Sequence, residues 1–240
     1  MNIKSVNSIV QIQNFSNISR EESNIKSPFL GEKDNSVLPA YAYKANFLPS
    51  FGKFKTVQNL TILNRDTGRT VNASLQKETI GEFLMFKLLV NKEEVGFMNL
   101  SRDAIFEEGD FILPEPNNNI PKVTHIRTLK GDKYAGIGSA LLSVAVEESK
   151  KCGRNGALWL FADSGYARTY SAYRKNENPI PFYYKLGFVS LDTDIHNKIT
   201  NALASGDYDK LPNSALLVLP SANAEHLQSY YDSHYTMNLE

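Results

Sequence analysis

From Val57 to Leu100 apolar and polar positions alternate with a period of two, the pattern of half-buried strands. Val57–Asn64 and Thr70–Gln76 are two such runs, separated by Arg65-Asp66-Thr67-Gly68, a turn sequence with glycine at its end. Phe83–Val90 and Val95–Leu100 are two more, joined through Asn91-Lys92-Glu93-Glu94 as a β-hairpin. The stretch from 101 to 121 turns acidic, then rich in proline and asparagine, and reads as a loop with a short strand at Phe111–Leu113. Val123–Leu129 is a further strand, broken by Lys130-Gly131-Asp132. The period then changes to that of a helix: Ile137, Ala140, Leu141, Val144 and Ala145 share one face of a segment running from about Ile137 to Lys151. Gly153 stands where such a helix stops in a left-handed conformation. Ala157–Ala162 is a short continuous apolar run, the signature of a buried strand. Asn178-Pro179 reads as a cap followed by proline at the first helical position, opening a helix that carries Phe182, Tyr183 and Leu186 and ends at Gly187. Phe188–Leu191 and Ala215–Leu219 read as the last two strands. Residues 1–40 show neither period, are rich in Asn, Ser, Ile and Glu, and read as a mobile tail ahead of one domain over 41–240.

Charge and cysteine content narrow the function classes. Lysine plus arginine total 26 and aspartate plus glutamate total 26, so the balance points to neither nucleic acid nor an anionic membrane as a partner. Cys152 is the single cysteine, which excludes an intramolecular disulfide and a thiolate metal cluster and fits a reducing compartment. No apolar run reaches the ~18 to 20 residues that span a bilayer. The start of the chain lacks a basic stretch followed by an apolar core, so the expected location is cytoplasmic. The glycosylation-type triplets at Asn14, Asn17, Asn59 and Asn72 then read as chance matches. The composition of the tail also resembles the export signals of some bacterial effectors, which keeps export open as a second destination.

The most informative segment is Lys133-Tyr134-Ala135-Gly136-Ile137-Gly138-Ser139, placed where an apolar strand ends and an amphipathic helix begins. Glycines there allow close approach of a ligand to the backbone, and the first-turn amides of a helix have no partner within it. With the positive end of the helix dipole they suit a pyrophosphate. The plain alternative is a tight strand-to-helix turn. A dinucleotide fingerprint needs a third glycine where Leu141 stands, and no Gly-Lys-Ser/Thr phosphate loop is present.

The strand, this turn, the helix through Leu142 and the later Pro181-Phe182-Tyr183-Tyr184-Lys185-Leu186-Gly187-Phe188 together resemble the GNAT superfamily of N-acetyltransferases. That superfamily carries an Arg/Gln-x-x-Gly-x-Gly/Ala turn and, about fifty residues later, a Phe-Tyr-x-Lys-x-Gly-Phe signature. The resemblance covers residues 55–220 with its specific motifs in 123–188. It implies an α+β or α/β architecture: a mixed, splayed sheet of six to seven strands flanked by helices. Acetyl-CoA as cosubstrate, with no metal, would lie in the gap between Val123–Leu129 and Ala157–Ala162. The backbone of Ile126, Arg127 and Thr128 would hold the pantetheine arm and thioester carbonyl, and the amides of Lys133, Tyr134, Ala135, Gly136, Ile137, Gly138 and Ser139 the pyrophosphate. Lys133 replaces the usual arginine or glutamine, keeping the charge but losing the planar fork. Asn176 stands where the superfamily often has a cofactor contact.

Tyr183 occupies the superfamily's position for a catalytic tyrosine, where a phenol beside the CoA sulfur protonates the departing thiolate; the alternative is a core tyrosine between Phe182 and Tyr184. The amine acceptor, a small molecule or a protein, must lose a proton, and His125 is the histidine nearest the motifs, with Glu82 and Asp163 behind it. A packed His125 is the competing reading. Tyr166, Tyr170 and Tyr173 form an aromatic stripe at helical spacing, either a lid or packing, and Cys152 reads as a structural thiol. The expected activity is direct acetyl transfer to an amine. The competing reading is a non-catalytic module that keeps the fold for CoA binding or protein interaction. The chain does not identify the acceptor, and a homodimer stays open.

Overall fold

The computed structural model describes residues 54–104, 119–164 and 178–236. The expected tail, the strand at Phe111–Leu113, Asn176 and the stripe of Tyr166, Tyr170 and Tyr173 lie outside the described residues. Eight strands form one sheet: β1 Lys55–Asn64, β2 Thr70–Ile80, β3 Phe83–Val90, β4 Glu93–Ser101, β5 Lys122–Thr128, β6 Tyr134–Ala135, β7 Leu158–Asp163 and β8 Ser214–Leu219, in the order β6-β1-β2-β3-β4-β5-β7-β8. The eighth strand beyond the expected six to seven is the two-residue β6, which extends the sheet past β1 through Leu63↔Ala135 and Asn64↔Tyr134. Four helices complete the described fold: α1 Ile137–Lys151, α2 Ile180–Lys185, α3 Thr193–Ser205 and α4 Ala224–Tyr235.

Alternation dictates which face each strand buries. Leu84, Phe86 and Leu88 of β3, Met98 and Leu100 of β4 and Leu158, Leu160 and Ala162 of β7 all enter one core with Ala140, Leu141, Val144 and Ala145 of α1. Residues of α2, α3 and α4 join the same core, so the described helices share one face of the sheet. Lys77 points to this face as well and pairs with Glu148 of α1 at 2.7 Å. The interleaved positions face the other way, where Ile120, Ala157, Trp159 and Val218 make a small second cluster.

The β3–β4 hairpin is tighter than expected. Asn91 and Lys92 both adopt left-handed conformations (φ 51° and 70°), and pairing begins at Val90↔Glu93, so Glu93 and Glu94 belong to the strand. Two expectations at the C-terminal end need correction. Phe188–Leu191 is not a strand: it contributes one antiparallel bridge, Val189↔Val218, before the chain turns into α3. Asp192 caps that helix by accepting hydrogen bonds from the amides of Asp194 and Ile195, and competes successfully with strand extension. Helix α4 was not anticipated either. Asn178 caps α2 as expected, accepting a hydrogen bond from the Ile180 amide at 3.0 Å, and Pro179 follows it with helical dihedrals (φ −74°, ψ −14°).

Candidate functional site

The central parallel pair is where the sheet opens. β5 and β7 pair only through Lys122↔Trp159 and Val123↔Leu160. Beyond those pairs β5 runs on to Thr128 and β7 to Asp163 without pairing to each other. A bulge assists the divergence: Leu100 faces Val123 and Asn99 faces His125, leaving Thr124 as an extra residue on β5. The β7-facing backbone of Ile126, Arg127 and Thr128 therefore lines a wedge rather than a ladder.

The turn after β5 lies at the mouth of this wedge. The amides of Lys133 and Tyr134 both donate to the Lys130 carbonyl, at 3.2 and 2.9 Å, and Tyr134–Ala135 is the strand β6. The Tyr134 side chain is buried in the core. The first helical bond runs from the Ala140 amide to the Gly136 carbonyl at 2.8 Å, and no side chain caps α1. Among the described residues, the amides of Gly136, Ile137, Gly138 and Ser139 are the ones left for an acceptor at the positive end of a fifteen-residue helix. The amides of Lys133 and Tyr134, expected in the cradle, are thus spent on the turn itself. Arg65, whose Nε donates to the Gly131 carbonyl at 3.0 Å, and Lys133 bring positive charge to the same turn.

Both glycines are also needed by the protein. Gly136 has φ 87°, and a Cβ there would fall 2.7–2.8 Å from the ring of Tyr235. A Cβ on Gly138 would fall 3.0 Å from the ring tip of Phe182. As sequence, these glycines serve a ligand or a tight turn; in the fold they also admit two aromatic rings. Phe182 and Tyr235 were not linked to the turn from sequence, since nothing in their spacing points to it.

Phe182 brings α2, and so Tyr183, beside the first turn of α1. Tyr183 is buried, with edge-to-face contacts to Phe182 at 5.3 Å and Phe188 at 5.5 Å, and burial pushes its phenol well above the ordinary value. Its neighbour Tyr184 has a structural part: its hydroxyl accepts from the Ser190 amide at 3.1 Å and lies 3.2 Å from Nδ1 of His196. His125 sits on β5 one residue past the bulge, on the face opposite α1, stacked on Phe97 at 5.0 Å. Burial, and then the Arg127 guanidinium, push the imidazole below its ordinary value. Tyr183 and His125 therefore lie on opposite faces of the sheet, Tyr183 packed in the core and His125 stacked on Phe97. Asp163 lies at the end of β7, paired with Ser214, while Glu82 lies in the exposed β2–β3 turn. Cys152 is the partly buried C-cap of α1.

This geometry has the features the resemblance implied: a mixed sheet, a parallel pair that splays, a glycine turn entering α1, and the Phe-Tyr-x-Lys-x-Gly-Phe helix beside that turn. The sheet order and the splayed parallel pair are consistent with the GNAT fold. No family model matches the chain, and no curated protein matches it. Among solved structures it is similar to nourseothricin acetyltransferase, with 18% identity over 72% of this chain and 89% of that one (TM-score 0.35). It is also similar to a mutant AtaT toxin bound to the C-terminus of the antitoxin AtaR, with 16% identity over 61% of this chain and 72% of that one (TM-score 0.36). A Bacillus subtilis acetyltransferase in complex with CoA matches at 16% identity over 59% of this chain and 78% of that one (TM-score 0.32).

Proposed function

We propose that the chain is an N-acetyltransferase that moves an acetyl group from acetyl-CoA to an amine. The observation that carries the reading is the uncapped first turn of α1, held by the Phe182–Gly138 contact beside the helix of Tyr183 at the mouth of the β5–β7 wedge. The four amides from Gly136 to Ser139 fit a pyrophosphate in number and polarity, and Arg65 and Lys133 supply the countercharge. The backbone of Ile126, Arg127 and Thr128 orients the pantetheine arm along the open edge of β5. Bound acetyl-CoA supplies the acyl group already activated as a thioester.

The chain's own residues then divide the proton work between two faces. His125, held neutral by burial and Arg127, takes the proton that the amine must lose. A C–N bond forms as the C–S bond breaks, and Tyr183 delivers its proton to the sulfur from the other face. A phenol whose burial raises its proton affinity is suited to giving a proton to a thiolate only when held against it, so positioning is the main service of the site. Asn176 is the remaining cofactor contact of this reading.

Calorimetric titration of acetyl-CoA into the full chain tests it. Micromolar binding is expected, weakened about tenfold in Lys133→Glu, where a favourable charge becomes a repulsive one. A Gly138→Trp variant, whose indole competes with Phe182 for the same space, is expected to lose binding altogether. Absence of binding to folded wild type would sink the cofactor assignment and favour a module that keeps only the fold.

A further inference from the structure

A cavity of about 120 Å³ lies between β1, β2 and the C-terminal half of α1, at the end of that helix away from the glycine turn. Its floor is apolar, made by the buried side chains of Leu75, Phe86 and Val144. Val57, the extra residue of a bulge in β1, stands at its mouth and is 49% exposed. Three charged groups share its wall. Glu148, 6% exposed, accepts from Lys77 at one carboxylate oxygen (2.7 Å) and from Lys151 at the other (2.8 Å). Burial opposes the charge of that carboxyl, but the hydrogen bonds of Lys151 and Lys77 outweigh it and hold the group below its ordinary value. Glu147 also lines the cavity and is paired with Lys150 at 2.9 Å. Two ammonium groups on one carboxylate leave a surplus positive charge beside an apolar hole. The alternation of charge is one corner short of a closed ring, and the missing corner is an anion facing both Lys77 and Lys151.

We infer that this cavity is a second ligand site and that it takes a short-chain aliphatic monocarboxylate. The ligand carboxylate accepts from Lys77 and Lys151 beside Glu148, and its alkyl chain fills the space over Leu75, Phe86 and Val144. Each ammonium carries three N–H donors and gives one to Glu148, so donors remain for a second carboxylate. An amine would add to the surplus positive charge, and a polar chain would lose its hydrogen bonds against the apolar floor. Length follows from volume. At ~30 Å³ for each water-sized unit the cavity holds about four carbons beyond the carboxylate at its rim, which points to butyrate through hexanoate. The site uses none of the residues assigned to acetyl-CoA, so it stands whether or not the acetyltransferase reading does.

The test titrates the isotope-labelled full chain with straight-chain carboxylates from acetate to octanoate and follows the amide chemical shifts. Shifts are expected at Leu75, Val144 and Glu148, with affinity rising about three- to fourfold per methylene as far as hexanoate and no further. Straight-chain alcohols and amines of equal length are expected to bind about tenfold more weakly or worse. Lys151→Met alters an exposed side chain and leaves Lys77 on Glu148, so the protein stays folded, and hexanoate is expected to bind about tenfold more weakly. Val57→Trp fills the mouth from the surface and is expected to abolish the shifts. Equal binding of acids and alcohols, an affinity that ignores chain length, or unchanged affinity in either variant overturns the site. Shifts confined to the glycine turn and the wedge also overturn it and leave the acetyltransferase reading untouched.

Discussion

In the proposed reaction His125 must be neutral and Tyr183 protonated; burial favours both of these states, but it also makes the phenol the weaker acid. His125 is pushed below its ordinary value of 6.5, first by burial and then by Arg127, so it is the free base at neutrality. The acid limb of kcat/KM is therefore expected to have its midpoint below 6.5, with a plateau above it. His125→Gln is expected to remove that limb and lower the rate by about 100-fold or more. A limb of unchanged midpoint in the variant would assign the titration to another group. The same displacement has a stability consequence with a definite sign. A histidine whose folded value lies below its unfolded one contributes stability that is present above the unfolded value and lost as pH falls through the folded one. Urea unfolding of wild type is thus expected to weaken from pH 7 toward pH 5 by more than that of His125→Gln. Tyr183 is displaced the other way, by burial, and stays protonated throughout this range. Tyr183→Phe is expected to lower kcat by about 100-fold while leaving the acid limb where it was, which a pH–rate profile of both variants separates from the His125 effect.

At the scale of elements, the C-terminal helix α4 is the unexpected piece, and it fastens the site from behind. Tyr231 donates to the Thr61 carbonyl and accepts from the Thr61 amide, both at 3.0 Å, on the edge of β1 that β6 leaves open. One hydroxyl thus does for β1 what a neighbouring strand residue would do. Tyr231→Phe leaves both backbone groups without a partner and is expected to cost about 2 to 3 kcal/mol in chemical denaturation. Four residues on, the Tyr235 ring lies against Gly136. Gly136→Ala is expected to destabilise by about 1 to 3 kcal/mol through the left-handed backbone and the collision. Pairing it with Tyr235→Ala should recover only the collision, and a double-mutant cycle reads the coupling. These contacts also show what the chain discloses about itself. The β-period, the span of α1 and the two motifs are local signals, and β1, β3, β4, β5, β7, β8 and α1 fall within about two residues of where the pattern puts them, whereas β2 runs on to Ile80, β6 was not read as a strand and Phe188–Leu191 is not one. Helix α3 was legible too: Asp192 as cap with Ile195, Ile199 and Ala202 on one face is a helix pattern, obscured because Phe188–Leu191 reads as a strand running up to the cap. The covering of Gly136 and Gly138 by rings from Tyr235 and Phe182 was not legible. Such contacts depend on which helices cross the turn, and neither periodicity nor spacing encodes a crossing.

For the molecule as a whole, the division of labour comes from how the sheet is covered. All four described helices and the main core lie on one face, together with the open amides of α1 and the phenol of Tyr183. The opposite face presents His125, Asn99 and Glu78 in one row. The wedge between β5 and β7 is the one place among the described strands where neighbouring strands part, and hence where the two faces can communicate without breaking a ladder. A cosubstrate lodged there would take the place of the missing pairing, contacting β5, the first turn of α1 and α2 together, so its binding energy should appear as global stability. Ligand at about 100 times its dissociation constant adds about 2.7 kcal/mol by mass action. For a fold of this size that corresponds to a rise of about 5 to 11 °C in the thermal midpoint. Acetyl-CoA is expected to produce such a shift in wild type and in Tyr183→Phe, since the phenol serves the chemistry more than the binding. The shift should shrink in Lys133→Glu and vanish in Gly138→Trp. Equal shifts in all four proteins, measured by differential scanning calorimetry at one ligand concentration, would mean that the ligand binds elsewhere than the wedge. A shift graded in the stated order would tie the stability of the whole sheet to the turn that opens α1.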